Sequence, residues 1–196
     1  RNEKVTLMSK LTVYEHHDFN KPVLVTEDSA EIADLLNEKG VRFEHWPTQK
    51  LSANAEQEAI LAAYDTDVSR LKAECGFTTA DVVKLTPDNL QKEEFRKKFL
   101  AEHIHVEDEV RFFVEGQGLF FLNIESKVYI VLCQKNDLIS VPDGTTHWFD
   151  MGPAPSFTCI RLFTNPKGWV AEFTGSDIAD RVPGWEQLMG TVDGDS

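Results

Sequence analysis

Glu102-His103-Ile104-His105-Val106-Glu107-Asp108-Glu109 is the stretch on which the reading of this chain turns, and His147 answers it further on. Imidazole and carboxylate are donors that borderline first-row ions such as iron, nickel, manganese and zinc accept. In an extended segment side chains alternate faces with period two, so His103, His105 and Glu109 point the same way. Arg111 shares that parity. It aims a charge at the same interior, and a buried charge needs a partner or a task. A single His on a strand is more often a hydrogen-bonded structural residue than a ligand. Two His, a same-face Glu and the apolar run 110–114 outweigh that reading. They point to a metal site of His103, His105, Glu109 and His147.

Outward from this stretch, the sequence after residue 109 has a β texture. Runs at 110–114, 119–123, 128–133, 138–141, 147–151 and 157–163 are short, apolar and separated by turn signals, which suits a small sandwich or barrel. Gly116-Gln117-Gly118 lacks the third glycine and following helix of a phosphate loop and reads as a hairpin turn. Pro142-Asp143-Gly144 is a second turn, just ahead of His147.

Residues before 100 read as mostly helical. The segment 30–39 carries Ile32, Leu35 and Leu36 behind an N-cap at Asp28, with Glu31 as capping partner and Gly40 as the stop. The segment 53–75 places Ile60, Leu61, Tyr64, Val68 and Leu71 on one stripe, closed by Gly76. Thr86-Pro87 opens a third helix that carries Phe95, Phe99 and Leu100 towards the ligand stretch. Residues 176–196 hold a weak helical piece and an acidic end expected to fray.

The 196 residues, 41% of them hydrophobic, suit one domain over 1–196. It divides into a helix-rich part (1–100), a metal-binding β core (101–175) and a tail (176–196). A net charge of −13 disfavours nucleic acid and anionic membranes as partners. No apolar run reaches the ~20 residues of a membrane span, and no leader pattern precedes a cleavage site. Cys75, Cys133 and Cys159 are odd in number and lack a Cys-x-x-Cys pair. Reduced thiols in the cytoplasm are expected, and a zinc-thiolate centre is not. Met8 is a candidate natural start behind residues 1–7. With no repeat or coiled-coil pattern, a monomer is the expectation.

The spacings also carry a resemblance. His103-x-His105-x3-Glu109-x6-Gly116 resembles the first cupin signature, and Pro142-x-Gly144-x2-His147 the second. Asn136 stands where the second signature has its usual Gly, and Met151 where it has Asn. These signatures imply a mainly β fold with accessory helices, a cupin double-stranded β-helix (jelly-roll) barrel holding a metal. The longer block from Phe99 to Gly116, with its Glu-Asp-Glu-Val-Arg-Phe string, resembles the acireductone dioxygenases of methionine salvage. So do 135–142, 147–152, Gly40-Val41-Arg42-Phe43-Glu44 and Asn165-Pro166-x-Gly168-Trp169. The resemblance implies cleavage of 1,2-dihydroxy-3-keto-5-methylthiopentene by O2. It also implies one Fe(2+) or Ni(2+) per chain. The iron form would give formate and 2-keto-4-methylthiobutyrate, and the nickel form formate, carbon monoxide and 3-methylthiopropionate.

The residues are chemically consistent with that implication. Three neutral imidazoles and one carboxylate on a divalent octahedral ion leave two positions for the adjacent oxygens of an enediol dianion. Arg111 would stabilise the charge that forms there; its structural alternative is a salt bridge to Glu109. Arg161 lies in the apolar run 157–163, where parity is ambiguous. Phe99, Phe149 and Trp169 are candidates for an apolar wall around the methylthio tail, since sulfur–aromatic contact is favourable; plain core packing is their alternative. By resemblance, Glu102 and Asp108 support the ligands from outside. His16, His17 and His45 read as surface or structural. Rival readings are another cupin enzyme, such as a flavonol-type dioxygenase or a sugar isomerase, and a non-enzymatic ligand-binding cupin.

Overall fold

The computed structural model describes residues 8–165 and 170–190. It is mainly β, with two antiparallel sheets and accessory helices, as the sequence implies. In chain order the first half contributes β1 (Lys10–Glu15), β2 (Leu24–Thr26), α1 (Ser29–Glu38), β3 (Arg42–His45), α2 (Gln57–Ala63), α3 (Asp65–Cys75), β4 (Thr79–Leu85) and α4 (Lys92–Leu100). The second half contributes β5 (His103–Ile104), β6 (Glu109–Gly116), β7 (Gly118–Ile124), β8 (Lys127–Cys133), β9 (Asp137–Val141), β10 (Thr146–Asp150), β11 (Phe157–Phe163), β12 (Glu172–Phe173), α5 (Ile178–Arg181) and α6 (Trp185–Met189). One sheet runs β12-β5-β10-β7-β8-β1-β2 and the other β3-β9-β6-β11-β4.

All six apolar runs of the second half are strands. Their near-continuous hydrophobicity follows from burial on both faces, since each sheet is covered outside as well as inside. Between the sheets, Phe113, Phe120, Leu122, Ile139, Phe149 and Cys159 form the inner core with Leu11, Val13 and two α1 residues, Ile32 and Leu36. On the outside of the smaller sheet, Val110, Phe112, Val114 and Ile160 pack against Trp46, Tyr64, Val68 and Leu71. Outside the larger sheet, Phe121, Ile130 and Trp148 meet Ile178 and Val182. The strict alternation along β6 therefore sends Glu109, Arg111 and Phe113 inward and Val110, Phe112 and Val114 outward.

Five local expectations are corrected, four of them in the first hundred residues. Among the described residues, those up to residue 100 hold four strands besides their helices. These strands have no stability of their own and form by pairing across the chain, as β1 does with β8 over Lys10↔Leu132 to Glu15↔Lys127. The stripe 53–75 is two helices. They meet at Tyr64, whose φ of −100° and ψ of 14° leave the helical region while its ring is buried. The third helix starts at Lys92, because Thr86 to Asn89 is a separate turn closed by Asn89 N–H on Thr86 O at 3.1 Å.

The Gly116–Gly118 connection is likewise no hairpin, since β6 and β7 belong to different sheets. It is a corner where the chain crosses between layers. Gly116 has φ +81°, and a Cβ there would lie 1.9 Å from Ser156 O. At the first helix, Asp28 caps as expected by accepting from Ala30 and Glu31 N–H. Glu31 does not close a capping box; it accepts from Thr26 Oγ1 at 2.8 Å.

Candidate metal centre

His103 on β5 stands directly opposite His147 on β10 in an antiparallel pair. His105 follows in the loop, and Glu109 opens β6 in the other sheet. The ligand stretch is therefore not one extended strand face. It leaves the larger sheet after Ile104, turns through 105–108 and enters the smaller sheet, so the donors converge from two layers. The same residues share a parity in sequence, but it is the crossing that brings them together. The imidazole centroids are 4.8 Å apart for His103–His105, 4.6 Å for His103–His147 and 5.1 Å for His105–His147. One donor atom from each of the four residues lies within 4.8 Å of the others, and all four residues are buried.

Each ring is oriented from behind. Nδ1 faces Ala101 O at 2.7 Å in His103, Val170 O at 3.0 Å in His105 and Thr145 O at 2.7 Å in His147. A carbonyl accepts only from N–H, so the proton sits on Nδ1 and the Nε2 lone pair is presented to the interior. Three such nitrogens and a carboxylate form a donor set that a divalent first-row ion fits. Glu109 Oε2 lies 2.6 Å from His147 Nε2 and 3.3 Å from His105 Nε2.

The electrostatics favour the metal-binding forms of Glu109 and His103. Burial works to raise the Glu109 pKa, but His105, His147 and Arg111 outweigh it and hold the carboxylate well below its usual range. Burial lowers His103, whereas at His105 the same penalty is overcome by Glu109, which raises it.

Behind Glu109, Arg111 donates from Nε to Glu109 Oε1 at 3.0 Å and is itself buried. The salt-bridge alternative for Arg111 is thus realised, and the same guanidinium also faces a cavity of about 350 Å³. It lies 5.8 Å from the Phe99 ring centroid and 5.3 Å from that of Phe149. The parity of Arg161 is resolved by register: it pairs directly with Arg111 across β11 and β6 and also lines the cavity. Gly118 makes room for this wall, since a Cβ there would lie 2.4 Å from the Phe149 ring.

Residues 10–171 match the ARD/ARD' family. An acireductone dioxygenase of Hahella chejuensis is 65% identical over 93% of this chain and 98% of its own length. One from Marinobacter nauticus is 57% identical over 93% of this chain and 99% of its own. Among solved structures, the acireductone dioxygenase of Bacillus anthracis, with a cadmium ion in its active centre, superposes with a TM-score of 0.75. It is 28% identical and is matched over 85% of this chain and 98% of that one.

The chain belongs to the ARD/ARD' family. This acireductone dioxygenase family has the cupin fold, and the chain is accordingly an oxygen-incorporating oxidoreductase with a three-His, one-Glu metal site. Membership sets aside the flavonol, sugar-isomerase and non-enzymatic readings. Within this family member the Asn136 departure from the cupin signature has a simple cause. Its φ is +77°, a left-handed position that Asn tolerates better than other non-glycine residues.

The other sequence candidates have the following positions. Phe99 and Phe149 line the cavity; Trp169 lies outside the described residues. Glu102 is buried and accepts from Asn123 Nδ2 at 2.9 Å and Thr174 Oγ1 at 2.8 Å. Asp108 accepts from Asp143 N–H at 2.9 Å, tying the ligand loop to the turn before His147.

Sequence reasoning passed over four neighbours of the site. Glu107 accepts from the backbone N–H groups of Thr164 and Asn165. Asp81 holds Arg161 at 2.8 and 2.5 Å; the β-branched run around it in β4 was the available signal. Asp150, three residues after His147, is buried and binds Arg96 of α4 at 2.9 Å. Cys159 lies against Arg111, and burial pushes its thiol up to about 12, so it stays neutral.

Proposed function

We propose that the protein cleaves the acireductone 1,2-dihydroxy-3-keto-5-methylthiopentene with O2 in the cytoplasm, as a step of methionine salvage. The observation that carries this is the adjacency of two things: a buried set of three imidazoles and a carboxylate, and a small cavity walled by arginine and aromatic rings. A bound divalent ion supplies Lewis acidity and a template for two neighbouring oxygens. Fe(2+) and Ni(2+) both suit the donor set.

The protein's own groups have separable tasks in this reading. The enediol hydroxyls lose protons as the substrate becomes an electron-rich dianion. Arg111, fixed by Glu109 and by two ring faces, meets that charge without reorganising. Arg161 extends the cationic wall and is aimed by Asp81. Phe99 and Phe149 receive the thioether, with sulfur near ring edges. Trp169 is assigned the same task from its sequence position. Glu102 and Asp108 hold the ligand loop in place through the contacts described above.

The substrate reacts with O2 by one of two balanced cleavages. Breaking C1–C2 gives formate and 2-keto-4-methylthiobutyrate. Breaking both C1–C2 and C2–C3 releases C2 as carbon monoxide, with formate and 3-methylthiopropionate. We assign the first to the Fe(2+) form and the second to the Ni(2+) form. Stripping the protein and reloading it separately with each ion tests this. Keto acid from the iron preparation and carbon monoxide from the nickel preparation are expected. Equal product ratios would reject control by the metal while leaving the dioxygenase assignment intact.

A further inference from the structure

The charge of the cavity opposes that of the chain. The protein carries 33 acidic against 20 basic side chains. Yet among the described residues the cavity is lined by Lys84, Lys98, Arg111 and Arg161, and by no carboxylate-bearing side chain. Two of these cations have assigned partners, Glu109 for Arg111 and Asp81 for Arg161. Lys98 belongs to α4. On the same helix, Arg96 is tied to Asp150 and Glu186, and Lys92 donates to Pro87 O. Lys98 sits three residues after Phe95 and one before Phe99, both of which line the cavity. Helical spacing therefore places it on the cavity face of α4. Lys84 comes from the edge strand β4, where a lysine also serves to blunt edge pairing.

A hydroxyl conjugated through C=C to a ketone is a vinylogous carboxylic acid, so an acireductone approaches as an anion. A chain of net charge −13 repels anions unless a local field reverses the sign, and a cationic cleft with low-dielectric walls does this by focusing. We propose that Lys98 is the recruiting cation of the cavity mouth: it selects anionic enediolates and raises their capture, and takes no part in the chemistry. This rests on the function proposed above. The alternative for Lys98 is structural, a cation in the last turn of α4 complementing the helix dipole. That alternative changes thermal stability and leaves substrate capture alone.

The test compares Lys98→Gln and Lys98→Glu with Lys21→Gln, a charge-matched change in the segment between β1 and β2. Steady-state kinetics are measured at about 10 mM and about 300 mM ionic strength, where screening lengths differ severalfold. Lys98→Glu is expected to lower kcat/KM about tenfold at low salt, and Lys98→Gln less. Both should converge on the parent at high salt, with kcat and metal content kept, while Lys21→Gln matches the parent throughout. A loss that ignores salt, or an equal loss in Lys21→Gln, overturns the proposal. Titration with L-ascorbate, a stable enediolate anion, reads the same site without turnover. Its Kd should weaken in Lys98→Glu at low salt. An unchanged Kd, or no binding to either protein, counts against the recruiting role even where the enzyme turns over, whereas absent turnover alone counts against the proposed function.

Discussion

His105 shows how much of one residue's chemistry comes from its surroundings. Its Nδ1 is held by Val170 O and its Nε2 is turned towards Glu109, so a side chain that is ambiguous in sequence has one tautomer and one direction in the fold. The same holds for Arg111, which sequence parity sent inward without a partner. The structure supplies the partner, Glu109, and the two ring faces that flank it. This allows binding and chemistry to be separated. Alanine at His103, His105, Glu109 or His147 should remove most of the metal and with it turnover. Arg111→Ala should keep most of the metal, since guanidinium is not a donor, and lose activity by a factor on the order of 10². Metal analysis alongside kinetics checks both; a fully active Arg111→Ala enzyme would reduce Arg111 to a support for Glu109.

At the scale of elements, legibility follows from where the organising information lies. Runs such as 128–133 and 157–163 are apolar throughout and long enough to announce themselves, and all proved to be strands. The strands of the first half could not be seen because nothing local requires them. β4 carries Asp81 and Lys84 within its run, and it becomes a strand by pairing with β11 from Phe157↔Leu85 to Phe163↔Thr79. The site followed the same division: the ligands were legible from their spacing, whereas Asp81, Glu107 and Asp150 act through contacts 54 to 80 residues away in sequence. β3 gives a test of such a contact. Glu44 accepts from Arg70 at 2.7 Å, Arg42 at 3.0 Å and Trp46 Nε1 at 3.0 Å, joining β3 to α3. Burial works to raise its pKa, but Arg70, Trp46 and Arg42 prevail and lower it. The fold thus favours the ionised form. The resulting stability is present above the ordinary Glu range and is lost as pH falls through the depressed folded value. Because the network is partly solvated, Glu44→Gln should cost about 1 kcal/mol at neutral pH. Denaturant melts of the two proteins should draw together as pH falls below the ordinary Glu range and through the depressed folded value; a gap that persists in acid would assign the loss to packing.

For the whole molecule, the two sheets and α4 together set the buried donor residues beside one small cavity inside a strongly acidic protein. The larger sheet brings His103, His147 and Phe149, the smaller sheet brings Glu109, Arg111 and Arg161, and α4 closes the cavity with Phe95 and Phe99. No single layer holds a complete site, which is why the corner at 105–108 matters as much as any strand. In the proposed function, both atoms of O2 enter the carbon skeleton of the enediol. The most direct measurement is turnover of the acireductone by the iron-loaded protein under dioxygen labelled with the heavy isotope, with mass spectrometry of both products. One labelled atom is expected in formate and one in the new carboxylate of the keto acid, with metal-stripped protein no faster than the uncatalysed reaction. Label recovered in water or hydrogen peroxide, with no label in either product, would show an oxidase and contradict the proposed function.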